Sequence, residues 1–184
     1  MLRNATELWL AFLAALLITG LYGLVVFFTR AIPAASDLFG HTLGIIGFLL
    51  MIITETLYSI RKRMRTVRFG RMSHWLQFHI FTGLVGPYMV LLHTSWKFNG
   101  LAGVTTLLTV VIVISGFVGR YIYTRIPRTA DGTVIEDTLS AEALKHARRL
   151  MALWHTIHIP IGMALFTAAF VHIGAALYYA TFLK

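Results

Sequence analysis

The chain has 184 residues, 58% of them hydrophobic and 12% charged, with no cysteine and a formal net charge of +9; its mean hydropathy is +0.76. That balance excludes an ordinary soluble domain, and the lack of Cys excludes disulfides, zinc thiolates, iron–sulfur ligation and thioether-bound haem. In so apolar a chain the basic excess reads as a membrane-orientation signal rather than a nucleic-acid footprint, and the composition predicts a single all-α integral-membrane domain over residues 1–184.

A spanning helix takes roughly 20 mostly apolar residues, and five stretches qualify. The first, Leu8 to Phe28, follows Arg3 and precedes "AIPAAS", but its apolar core exceeds the ~7–15 residues of a signal peptide, so a retained helix is expected. The second, Leu38 to Ile60, opens beside His41 and carries Glu55 near its far end. A carboxylate in hydrocarbon needs a partner; the Arg61 cluster is the expected one, with proton delivery as the functional alternative. The basic loop "RKRMRTVRFGR" leads into the third stretch, Trp75 to Trp96, and the fourth, Leu101 to Tyr123, ends in "SGFVGRYIYTR". Next comes the one long loop, in which a short surface helix is expected from about Ala141 to Arg149, with headgroups or a partner facing its charges. The fifth stretch runs from Leu150 to Leu183.

Five crossings gather 13 of the 16 Lys and Arg on one side, which the positive-inside rule assigns to the cytoplasm. The N-terminus is therefore expected inside and the C-terminus outside, in a membrane such as the bacterial inner membrane. Trp9, Trp75 and Trp154 then belong to the inner interface and Trp96 to the outer one.

Histidine is costly in hydrocarbon unless paired, hydrated or metal-bound, yet the third and fifth segments hold several. "HIFTGLVGPYMVLLH" sets His79 and His93 fourteen residues apart, and "HIPIGMALFTAAFVH" does the same for His158 and His172. Fourteen residues come to about 1400°, some 40° short of four turns, with a rise of ~21 Å, so each pair shares one helix face at two depths. The two segments run parallel, so His79 matches His158 in depth and His93 matches His172. Two imidazoles facing each other at one depth can fill both axial positions of a haem iron, and two depths allow two haems. Gly83, Gly86, Gly162 and Ala169 lie near the ligand faces, where a flat macrocycle needs small neighbours; close helix packing alone also favours them. Polar packing contacts or a proton relay are the plainer explanation of any single histidine. A mononuclear zinc site fits less well, because ~21 Å separates the histidines of each helix.

This double His-x13-His pattern resembles the transmembrane cytochrome b architecture shared by ferric reductases and NADPH oxidases. Its ligand arrangement is also similar to that of the cytochrome b subunits of quinol:cytochrome c reductases. The resemblance covers the second to fifth segments. It implies that His79 and His158 ligate an inner haem b and His93 and His172 an outer one. In those oxidases a further helix leads into a flavin and nicotinamide domain, whereas this sequence stops at Lys184 and has no G-x-G-x-x-G after a strand. Direct oxidation of NAD(P)H by this polypeptide is accordingly not expected.

The remaining polar residues have weaker signals. His155 and His74 are expected at the inner interface, near haem propionates or lipid headgroups. His41 can line a quinone pocket, touch the outer haem edge or ligate a third haem. Arg120, Arg68 and Arg71 are candidate propionate partners, because guanidinium matches carboxylate bidentately, although snorkelling also explains them. Pro87 and Pro160 interrupt the two ligand-bearing helices. The expected function is electron transfer as one subunit of a membrane redox complex, with quinone at one face and a cytochrome c or redox enzyme at the other. The competing expectations are a haem-free proton or metal transporter subunit using Glu55 and the histidines, and a stand-alone ferric reductase membrane domain with a soluble donor.

Overall fold

A computed structural model describes residues 5–63, 70–126 and 140–182. Among them there are five helices and no strand: α1 (Thr6–Thr29), α2 (Leu38–Arg63), α3 (Met72–His93), α4 (Gly100–Thr124) and α5 (Ala141–Phe182). All five are long and apolar enough to cross a membrane, so the chain is an integral-membrane helical bundle. Much of its apolar surface faces outward, Leu17, Phe28, Leu107 and Met163 among it. Outside-facing carbon is what a bilayer solvates and water does not.

Two boundaries differ from the sequence expectation. Helix α3 stops at His93 because Ser95 and Trp96 take left-handed φ values of 51° and 62°, a region that ends a helix for a residue with a side chain. Helix α5 has no break between a surface helix and a span: it is one rod of 42 residues. Ala, Glu, Leu, Lys and Arg fill its first turns, all good helix formers, and the first proline inside it is Pro160. At ~1.5 Å per residue the rod is about 63 Å long, twice the ~30 Å of hydrocarbon. Its charged first turns, with Glu142, Lys145, Arg148 and Arg149, extend beyond the apolar layer.

Helix α3 is the hub. It packs against α2 most extensively, and against α1 and α4, while α5 packs on α4. Helices α3 and α5, the two that carry the paired histidines, share no extensive contact among the described residues.

The α2–α3 contact repeats every seven residues. His79 Nδ1 lies 3.3 Å from Thr54 O, Gly86 meets Gly47, and His93 Nδ1 lies 2.8 Å from Gly40 O. Along α3 these positions rise by seven, and along α2 they fall by seven. Seven residues are nearly two whole turns, so the same faces meet three times in succession, as in antiparallel helices with small-angle, left-handed packing. At the middle contact the backbones touch: a Cβ on Gly47 would sit 2.8 Å from Gly86 O, and one on Gly86 would sit 2.9 Å from Gly47 O. Only glycine permits that approach.

Candidate functional site

A cavity of about 1050 Å³ fills the space between α3 and α5, with α2 and α4 as its other walls. It exceeds the ~300–1,000 Å³ typical of small-molecule sites. His79 and His158 both line it and interact electrostatically with each other. Gly83, Gly116 and Gly162 lie in its walls. Side chains there would meet little: the nearest atom to a Cβ on Gly83 is 3.6 Å away, on Gly162 3.8 Å, and on Gly116 nothing lies within 4 Å. The absent side chains therefore widen the cavity.

Three of the four paired histidines have Nδ1 occupied. Thr54 O and Gly40 O, both carbonyls of α2, serve His79 and His93, and Ser115 Oγ of α4 lies 3.0 Å from His158 Nδ1. A carbonyl can only accept, so Nδ1 carries the proton in His79 and His93, and Nε2 keeps its lone pair. That tautomer is the one in which an imidazole ligates metal through Nε2, with its other nitrogen held by an acceptor. His172 is half-buried and close enough to His93 for the two to interact electrostatically. Among the described residues it makes no hydrogen bond.

Each histidine has a distinct setting. Tyr58 lies 4.7 Å from the His79 ring, centroid to centroid. Trp154 stacks on His158 at 4.5 Å and 27°, and its Nε1 donates to Ser115 O at 2.7 Å. At the other level the His93 ring lies on Gly44, where a Cβ would come within 2.8 Å of it. His41, which is exposed, lies 6.5 Å from His93. Both rings belong to the extensively packed α2–α3 pair.

Several expected partners fall elsewhere. Gly86 is taken up by the α2 crossing rather than by the cavity wall. Arg120 does line the cavity, but its guanidinium is held by Glu7, with Nε and Nη2 at 2.9 and 2.7 Å from Oε1. Glu7 is 2% exposed, and its Oε2 has no partner among the described residues. Within the Arg61 cluster, Glu55 makes no ion pair with Arg61 but interacts electrostatically with Lys62, which lines the same cavity. Glu55 is exposed along the cavity and accepts from Ser59 Oγ at 3.0 Å, while Arg61 Nη2 donates to Gly70 O at 3.3 Å. His155 lines the same cavity, but its nitrogens are engaged by Lys62 Nζ at 3.1 Å and Met151 O at 2.9 Å. His74 is exposed in the first turn of α3, and Arg68 lies outside the described residues. Ala169 is buried.

A second, narrower space of about 430 Å³ lies between α1, α3 and α4 and is lined almost wholly by carbon. Leu84, Pro87, Val113 and Phe117 border both spaces. Among the described residues no three of His, Cys, Asp and Glu converge as a metal-ion cluster would require.

Fold and site together define a five-helix membrane protein with two levels of paired histidines and a cavity at one of them. Compared with known proteins, the chain matches no family model, no curated protein and no solved structure.

Proposed function

We propose that the protein is a membrane electron carrier whose four histidines hold two b-type haems, His79 with His158 at one level and His93 with His172 at the other. The observation that carries this reading is the contact of two histidine Nδ1 atoms with carbonyl oxygens of α2, which fixes the tautomer. At the carbonyl-held histidines Nε2 is left as the lone-pair nitrogen, and His79 opens onto a cavity that His158 of α5 also lines. A proton relay would have no need of fixed Nδ1 donors repeated at a fourteen-residue interval. A metal-ion path is disfavoured by the absence of a converging ligand cluster among the described residues.

Bound haem supplies one-electron chemistry, and bis-histidine ligation fills both axial sites, which favours electron transfer over substrate binding at iron. The chain's own residues do the rest. Thr54 O, Gly40 O and Ser115 Oγ orient imidazoles, and Gly83, Gly116 and Gly162 keep the cavity open. Lys62 puts positive charge beside a cavity that would receive propionate carboxylates, while Arg120 is already neutralised by Glu7. We assign the Lys62 side to the cytoplasm from the distribution of Lys and Arg. A lipid-soluble quinone is the proposed exchange partner at one face, and another subunit or a cytochrome c at the other.

The test is spectroscopic. The purified chain should carry two acid-extractable b haems; His79→Ala and His158→Ala should each lose one, and His93→Ala and His172→Ala the other. A haem-free protein with no Soret band refutes the proposal. Retention of both haems in His158→Ala, with loss of one in His155→Ala, overturns the ligand assignment.

A further inference from the structure

Ser115 stands in the apolar run "TVVIVISGFVGR" of α4. In a membrane helix a serine hydroxyl ordinarily turns back to the carbonyl one turn earlier. Here it bonds across to another helix: Oγ lies 3.0 Å from His158 Nδ1. The same residue's carbonyl accepts from Trp154 Nε1 at 2.7 Å, and that indole stacks on the His158 ring. Gly119, one turn further along α4, makes room for the indole, since a Cβ there would overlap the Trp154 ring atoms. The imidazole is thus held at its edge by a hydroxyl and on its face by an indole, and both contacts run through Ser115.

Resting on the haem-binding reading above, we propose that Ser115 is a positioning residue for His158, and that its hydroxyl lowers the reduction potential of the haem at the His79–His158 level. An acceptor on Nδ1–H fixes Nε2 as the ligating nitrogen and makes the imidazole a stronger donor. A stronger donor favours the ferric state, which carries the larger charge, so the potential falls. His79 and His93 draw the same support from α2 backbone carbonyls, which no side-chain substitution removes. With His158 bound through Nε2, its Nδ1 carries the proton and Ser115 Oγ is the side-chain acceptor of the set. It can be deleted without touching the Trp154 anchor, because the indole bonds to the main chain.

The experiment is a redox titration of the detergent-purified holoprotein, followed in the visible α-band, for the unaltered chain, Ser115→Ala, Ser115→Thr and His158→Ala. Loss of a group that supports a metal ligand changes affinity by about 10–100-fold. The lower end, expressed as a tenfold change in ferric-over-ferrous preference, is about 59 mV for one electron. Ser115→Ala should keep two haems and raise one midpoint by about that amount, and the step that moves should be the one missing from His158→Ala. Ser115→Thr keeps a hydroxyl and should restore the midpoint. Haem loss in Ser115→Ala that Ser115→Thr repairs supports the proposal as well. Unchanged midpoints in Ser115→Ala overturn it, as does a shift in the step that survives in His158→Ala. An equal shift or loss in Ser115→Thr also overturns it. A haem-free unaltered chain removes the electron-carrier reading itself, an outcome distinct from any of these.

Discussion

Gly47→Ala tests the α2–α3 contact at its tightest point. The added methyl would lie 2.8 Å from Gly86 O and 3.0 Å from Met89 Cβ. An ordinary Cβ contact begins at 3.4 Å, and the obstructing oxygen belongs to a helix backbone that cannot rotate away, so the helices must separate by about 0.6 Å to reach normal packing distance. Carried along the helices, that shift lengthens the His79–Thr54 O contact from 3.3 Å to about 3.9 Å, past hydrogen-bonding range. The His93–Gly40 O bond starts at 2.8 Å and stretches to about 3.4 Å, weakened but present. The substitution should therefore disturb the His79 level before the His93 level. Overpacking of this kind costs about 1–3 kcal/mol, and a lost ligand support about 10–100-fold in affinity. Thermal melts, with the content of the two proposed haems read by difference spectroscopy, measure both effects. An unchanged melt in Gly47→Ala refutes the packing argument, and loss of the haem proposed for the His93–His172 level before the other refutes the order of disturbance.

Two further outcomes follow from contacts described above. Glu7→Ala strands the Arg120 guanidinium, and breaking a buried pair from one side costs about 3–5 kcal/mol. The double variant Glu7→Ala/Arg120→Met should recover much of that loss in detergent melts, and equal melts for single and double variants would argue against the pair. Gly119→Leu denies the indole its place, so with the other three of the four tryptophans changed to phenylalanine, Trp154 emission should move to longer wavelength. An unmoved spectrum would mean that the indole never sat between α4 and His158.

The spans were legible in the sequence because bilayer thickness imposes a length that composition reveals directly. The fourteen-residue spacing was legible for a similar reason, since helix periodicity turns a sequence interval into a face and a depth. What stayed hidden is pairing between helices. Glu7 and Arg120 stand 113 residues apart, and nothing local links them; the available signal was an acid in the first apolar run and an arginine at the same end of the fourth. Proximity along the chain points Glu55 to the Arg61 cluster, and Lys62 is the member it interacts with; a separation of six places Arg61 itself far around the helix axis. Ser59, four residues on, was the geometrically apt partner. Gly86 shares the ligand face by helix angle alone, and only the position of α2, which no local pattern gives, decides what it meets. The supporting carbonyls also left a trace that went unread, in Gly40, Gly47 and Thr54, spaced by sevens like the residues they meet. The continuity of α5 is hidden in the sequence because the charged run before Leu150 ends the hydrocarbon but not the helix.

The seven-residue register gives the α2–α3 pair the properties of a ruler with graduations of about 10.5 Å, seven residues at ~1.5 Å. Inserting a single residue between His79 and His93 would swing everything beyond it by about 100°, so that one histidine would face α2 and the other would not. Paired insertions of seven in both helices would preserve every facing contact and move the two levels apart by one graduation; paired deletions of seven would bring them together by the same step. Length variation in this region is therefore quantised, and a related or engineered chain with differently spaced levels should differ by whole multiples of seven residues in α2, α3 and, to keep the opposing histidines level, α5.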